Sequence, residues 1–340
     1  MKWRLDIRRL ILIVVIISFV VLLARGCFYA SDADGEDSYE PRLILDKGDS
    51  ASKPRYIKVY KHQSGKVEEM ELEEYIIGVV AAEMPASFEL EALRAQAVAA
   101  RTFAAQRMNV FDGAPCGSEA EVCTDSNCCQ AWTSDSNMHA NWGNNYDKYF
   151  QKIKEAVMGC AGEVAIYEGR PIEALYHSTS GGATEDSQNV FSQAKPYLVG
   201  VSSPGEDNAS RFTATVEFSN SKFAKKVNSV YPKAGLKAGK LKSQVEVLSR
   251  YESGRVEFVR LGNVKISGKE LRSIFSLYSA NFTFSFTDGN VVIKTKGFGH
   301  GVGMSQHGAN AMAKNGSDHI EILKHYYTGV DVVKIDSLIK

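Results

Sequence analysis

The chain has 340 residues, 44% hydrophobic and 24% charged, close to ordinary globular usage and enough to bury the core of one or two domains. Forty Lys and Arg balance forty Asp and Glu for a formal net charge of zero, and no long single-sign run occurs, which excludes the basic footprint of a duplex-binding protein. With 28 Gly, 8 Pro and 10% aromatics, collagen-like, coiled-coil and largely disordered classes are excluded as well.

Lys2, Arg4, Arg8 and Arg9 precede an apolar run from Leu10 to Ala24 broken only by Ser18. A run of about fifteen residues falls short of the roughly twenty that span a bilayer, and snorkelling Arg9 and Arg25 make up the difference. Positive charge ahead of the run keeps the N-terminus in the cytoplasm. The expectation is a cytoplasmic tail over 1–9 and a transmembrane anchor over 10–26. That gives a single-pass location in the cell membrane, with the bulk of the chain extracytoplasmic. A cleaved signal peptide is the alternative, although no small-x-small cleavage site is evident. Residues 27–53 are polar, acidic and poor in aromatics, as in an extracytoplasmic linker.

From Arg55 the pattern changes to short alternation. Tyr56-Ile-Lys-Val-Tyr and Val67 to Leu72 predict a hairpin turning at Gly65. The stretch LEEYIIGVVAAEMPASFELEALRAQAVAARTFAAQRM, from Leu72 to Met108, follows. It predicts a helix from about Glu73 to Met84, stopped by Pro85, which cannot continue the hydrogen-bond ladder. Ser87 then offers an N-cap for a second helix, whose apolar stripe is Leu90, Leu93, Ala97, Ala100 and Ala104. Glu83 thus sits in a last turn, where the helix dipole is negative, beside Val79, Val80 and Met84. Both effects disfavour its carboxylate and raise its pKa, as a general acid near neutral pH requires. The other reading makes Glu83 a solvated last-turn residue or an ion-pair partner of Arg101.

Two further segments carry polar side chains among glycines. In YHSTSGGATE, from Tyr176 to Glu185, the glycine-flanked serine of a nucleophile elbow is absent, which argues against a serine hydrolase. His177, Ser178 and Ser180 beside a turn suit the hydroxyl and acetamide groups of a glycan, or else cap a strand ending at Tyr176. In GFGHGVGMSQHGANAMA, from Gly297 to Ala313, neither the phosphate-loop ending nor the dinucleotide spacing is present. Close backbone approach explains these glycines. Ser305 begins a helix that Asn315-Gly316 ends, and His300 is the expected site residue. Gln306, His307, His319 and His325 are expected to cap or cover helix surfaces.

Cysteines stand at 27, 116, 123, 128, 129 and 160, four of them within CGSEAEVCTDSNCC. Outside the cytosol two disulfides are one option, a metal another and free thiols the third. Cys160 is expected to be buried. Between about Glu206 and Thr295 the segments FTATVEF, VEVLSRY, RVEFVRLG, FTFSF and VVIKTK predict strands, with helices near 221–230 and 268–277 and no catalytic constellation.

The segment EEYIIGVVAAEMP followed by FELEALRAQAVAARTF resembles the signature of the stage II sporulation protein D family, the SpoIID/LytB-type domain. The segments at 176–185 and 297–313 are similar to that family's other two signatures, in the same order. The resemblance implies a membrane-anchored lytic transglycosylase that cuts peptidoglycan glycan strands during forespore engulfment in sporulation, with Glu83 catalytic. It puts substrate contact at His177, Ser178, Ser180, His300 and Ser305. It also implies zinc held through Cys123 and Cys129, with Cys128 where the family has a histidine; cysteine is itself a zinc ligand, and Cys116 would complete a four-thiolate set. The implied partners are peptidoglycan and a membrane complex with a sporulation amidase/endopeptidase. The alternative function is a non-catalytic, peptidoglycan-binding activator of a cell-wall amidase. A hydrolase needs two carboxyl groups and a lytic transglycosylase one. Glu73, Glu74, Glu89 and Glu91 are assigned to helix starts and solvated faces, so the count favours the latter. The expected fold class is α+β: a mixed helical and β catalytic region over 54–205 and 296–340, a small α+β module inserted at 206–295, and one N-terminal transmembrane helix ahead of them.

Overall fold

The computed structural model describes residues 55–339 apart from 118 and 192. The expected anchor over 10–26 and linker over 27–53 lie outside them. Among the described residues no helix is long and apolar enough to cross a membrane. The longest has 16 residues, Leu90–Ala105, and it carries Arg94, Gln96, Arg101 and Thr102 along its length. The fold class is therefore corrected to α+β with no membrane-spanning helix among the described residues, and the single-pass membrane location is withdrawn with it.

Strands β1 (Tyr56–Lys61) and β2 (Lys66–Glu71) form the antiparallel hairpin expected from the alternation. Gly65 turns it with φ +69°, a left-handed conformation that suits glycine. Helix α1 (Leu72–Glu83) follows at once and α2 (Leu90–Ala105) after the Pro85 elbow. Thirteen residues of α2 are buried, far more than one stripe. The cause is its composition: alanine after alanine lets neighbours approach on every side, so the helix becomes a central one even though Gln96, Arg101 and Thr102 are among its buried residues. Around it pack α1, α4 (Tyr146–Gly159), β4 (Glu163–Tyr167), α9 (Gln306–Lys314) and α10 (His319–Tyr326).

The loop after α2 returns as β3 (Val122–Cys123), which joins β1 in parallel with Tyr60 opposite Cys123. Helix α3 (Asp135–Trp142), N-capped by Ser134, then leads into α4. The C-terminal strand β16 (Asp331–Lys334) pairs with β4, Val332 opposite Ala165, and β4 also pairs with β5 (Arg170–Pro171). The last residues are thereby tied to the first half of the chain.

Short strands join the two glycine-rich segments. β6 (Tyr176–His177) runs parallel to β15 (Met304–Ser305), and Thr179 bridges Phe298. Strands β7 (Gly182–Ala183) and β8 (Ser202–Ser203) enclose the short helix α5 (Ser187–Val190).

A second core lies between these segments in sequence. Strand β9 (Thr213–Ser219) pairs with β14 (Asn290–Lys296), which also pairs with β13 (Phe282–Phe286). Helices α6 (Asn220–Val230) and α7 (Leu241–Gln244) precede the meander β10 (Val245–Arg250), β11 (Val256–Leu261) and β12 (Val264–Ser267). Helix α8 (Gly268–Phe275) starts with a capping box between Ser267 and Glu270. Phe223, Val259, Leu271, Phe275 and Ile293 are among the buried residues of this second core, with Phe223 and Phe275 stacked at 4.7 Å.

Candidate active site

Glu83 is the last residue of α1. Met84 leaves the helix in extended conformation, its N–H still bonded to the Val80 carbonyl, and Pro85 makes the end permanent. Ser87 does not cap α2: Glu89 is the N-cap residue and no side chain caps it. Instead Glu89 N–H donates to Asn310 Oδ1 at 2.8 Å. Helix α9 therefore fastens the elbow from outside.

The Glu83 carboxylate is half-buried and accepts a hydrogen bond from Ala131 N–H at 2.8 Å. Burial raises its pKa, and the polar contacts of Ala131, Gln306 and Tyr176 pull the other way without cancelling it. Arg101 is not its partner. That guanidinium, fully buried, pairs with Glu73 at 2.5 and 2.9 Å and also donates to Glu163 O at 3.0 Å. Glu73, expected on a solvated face, is therefore the half-buried counter-ion of a fully buried arginine. Glu91 is likewise paired, with Arg94 and His319.

Glu83 opens onto a groove of about 380 Å³, and among the described residues it is the one carboxylate lining it. Phe88, Trp142 and Phe298 supply aromatic wall; Ser178, Arg211, Gln306 and His307 supply polar atoms. His307 packs edge-on against Phe88 at 4.9 Å, and burial lowers its pKa, so the ring is neutral at pH 7. Tyr176 lies close enough for the Glu83 charge to raise its phenol further, after burial has done most of it. Its hydroxyl donates to Gln130 Oε1 at 2.8 Å, one residue from the amide that holds Glu83.

Of the residues expected to contact substrate, Ser178 alone lines this groove. His177 is buried, with Nδ1 donating to Val302 O at 3.2 Å. Ser180 is buried and donates to Glu206, which also accepts from Gly181 N–H and Ser203. His300 takes the Val302 N–H on Nδ1 and so donates from Nε2 to Tyr176 O. Burial pushes its imidazole down to about 4. Ser305 is fully buried and caps α9 through Gly308 N–H. His177, His300 and Ser305 bind the two glycine-rich segments to each other, while Ser180 ties the first of them to Glu206. The close approach of those segments also accounts for the glycines. A Cβ on Gly303 would stand 2.0 Å from Leu175 O, and one on Gly299 would stand 2.7 Å from His177 Cβ, both at positive φ.

Gln306 and His307, expected on a helix surface, are groove residues. The identity of Tyr176 and Gln306 within the quoted segments was a usable signal. Trp142 and Arg211 lie in stretches that carry none, and Arg211 falls in the segment expected to contribute nothing to catalysis. His319 bridges Glu91 and Glu163, and His325 bonds Ser202 O.

Sulfurs of Cys116, Cys123, Cys128 and Cys129 all lie within 4.8 Å of one another, and none is in a disulfide. Cys116 and Cys128 approach to 3.0 Å. Cys160 is buried elsewhere, below Arg101. A tetrahedral thiolate site with zinc–sulfur bonds of about 2.3 Å separates its sulfurs by roughly 3.8 Å, so this donor set fits such an ion. From Cys129 the chain runs through Gln130 to the Ala131 amide on Glu83.

Residues 60–167 match the family model described as "Stage II sporulation protein". The chain is 38% identical over 286 residues to stage II sporulation protein D of Bacillus amyloliquefaciens, covering 84% of this chain and 81% of the relative. It is 35% identical, with the same coverage, to stage II sporulation protein D of Bacillus subtilis (strain 168). A protein named amidase enhancer from the latter strain is 27% identical over 74% of this chain and 39% of its own length. With identities of this size over four fifths of both chains, the protein belongs to the stage II sporulation protein D family.

Proposed function

We propose that the protein is a peptidoglycan lytic transglycosylase acting in sporulation, with Glu83 as acid and then base. The observation that carries the reading is the groove itself, which is aromatic-walled and holds a single carboxylate of raised pKa. Hydrolysis needs a second carboxyl group to activate water or attack the sugar. Cleavage by the substrate's own hydroxyl does not.

In the proposed reaction protonated Glu83 donates to the oxygen leaving C1 of N-acetylmuramic acid, and the C1–O bond breaks. The sugar's 6-hydroxyl attacks C1, and its proton passes to the Glu83 carboxylate. One glycosidic bond is lost, one 1,6-anhydro bond is formed, no water is consumed and the acid is regenerated. Ala131 N–H fixes the carboxyl rotamer in both states, and Phe88, Trp142 and Phe298 offer faces for the apolar sides of sugar rings.

Cys116, Cys123, Cys128 and Cys129 would hold zinc. When bound, the ion supplies a structural brace, since four thiolates leave it no open position for water. A partner amidase is a proposal that rests on the likeness to a protein named amidase enhancer. The test of the enzymatic reading is Glu83→Gln, which keeps shape and the Ala131 bond but removes the proton. Glycan cleavage should fall by about 10²- to 10⁴-fold with folding intact. A twofold loss would return Glu83 to a surface role.

A further inference from the structure

Arg211 lines the same groove as Glu83. Its guanidinium lies over the rings of Phe298 and Tyr278, 5.0 and 5.4 Å from their centroids. Ring contacts of this kind engage the cation's face and leave its N–H edge, five donors in a fixed fork, free. Every other arginine among the described residues spends that edge on the protein. Arg101, Arg94 and Arg260 pair with carboxylates, Arg55 with Asp336 and Arg170 with Asp112. Arg107, Arg250, Arg255 and Arg272 donate to backbone carbonyls. Arg211 alone has neither a hydrogen bond nor an ion pair. It is also the one full positive charge in the groove lining, because His307 is neutral there. With Glu83 protonated for catalysis, Arg211 is the one charge left among the described residues that line the groove.

We propose that Arg211 is a positioning residue that binds a carboxylate of the substrate beside the bond to be cut. The proposal rests on the reading of the groove as a glycan site and adds the anionic group it recognises. In a strand alternating N-acetylglucosamine with N-acetylmuramic acid, only the latter carries acid. That acid is the lactyl carboxylate when no peptide is attached. When the lactyl group is amidated, the acid groups are the carboxylates of the stem peptide. A planar fork on an aromatic bed matches either source bidentately, where a lysine would offer only a point charge.

The experiment measures binding by calorimetry to full-length protein carrying Glu83→Gln, so that nothing is turned over. The probes are a neutral N-acetylglucosamine oligomer, a peptide-free glycan with lactyl carboxylates and a peptide-bearing glycan. Arg211→Gln should weaken binding of an acidic glycan about tenfold and leave the neutral oligomer unchanged, with Arg211→Lys in between. Loss confined to the peptide-free glycan assigns the lactyl carboxylate, and loss confined to the peptide-bearing one assigns the stem peptide. In the active protein the same change should appear in KM rather than kcat. Equal weakening on all three probes, or none on either acidic glycan, overturns the proposal. If Arg211-dependent binding is seen but no anhydro product forms, the cleavage reading fails and this one stands. Product formation with an unchanged KM in Arg211→Gln does the reverse.

Discussion

Glu83 is held by a backbone amide and not by a cation. An amide orients a carboxyl group without clamping it in the ionised form, which a guanidinium at the same place would do. Because burial leads among the causes of its raised pKa, glycan cleavage should decline as pH rises through that raised value, above the ordinary 4.5 for glutamate. A pH profile of kcat/KM checks this, and a limb at the ordinary glutamate value contradicts it. The same shift has a consequence for stability. The folded state binds the Glu83 proton more tightly than the unfolded state does, so this residue's contribution is most favourable at low pH. It is lost as pH rises through the folded pKa. Glu83→Gln should therefore unfold at pH 7 no earlier than the parent protein, as followed by thermal denaturation. Trp142 tests the groove wall: Trp142→Ala should weaken binding of a neutral oligosaccharide roughly tenfold, read by titration.

At the scale of elements, the elbow between α1 and α2 is set by three separate devices: Pro85 ends one helix, Asn310 of α9 anchors the start of the next, and the Arg101–Glu73 pair locks the two helices together. Removing Arg101 leaves the half-buried Glu73 without its counter-ion, with only the Gly162 N–H still bonded to it. Arg101→Met should cost about 3–5 kcal/mol in a denaturant titration, and adding Glu73→Leu should recover much of it. The cysteine loop lies beyond these three. If it holds zinc, elemental analysis should give close to one metal per chain, and a chelator or Cys123→Ser should lower the unfolding midpoint by roughly 5 °C or more. Much of this arrangement was legible in the residues. The hairpin, the Pro85 stop, the capping of α9 by Ser305 and the strands between 213 and 296 all follow from local rules. The anchoring of Glu89 by Asn310 was not legible, because it joins residues 221 apart in sequence, where no periodicity reaches. His300 and His177 illustrate the converse. Their chemistry suggested a site, yet the fold turns both inward to tie one glycine-rich segment to the other.

On the scale of the whole molecule, the groove is assembled from distant parts. Glu83 comes from α1, Trp142 from α3, Ser178 from the segment after β6, Arg211 from the approach to β9, and Phe298 and Gln306 from the last glycine-rich stretch. Only the parts within compact motifs could be recognised beforehand, since a side chain such as Arg211 acquires meaning through what it faces. The module between β9 and β14 has its own apolar core, and its edge contributes to the groove through Arg211, whose bed includes Tyr278. The central claim is that one carboxyl group in this groove cleaves glycan by intramolecular attack. The most direct measurement is mass spectrometry of the fragments released from purified peptidoglycan glycan strands. The account predicts chains ending in 1,6-anhydro-muramic acid from the parent protein and none from Glu83→Gln. Fragments ending in ordinary reducing sugars would show that water is the nucleophile and would contradict it.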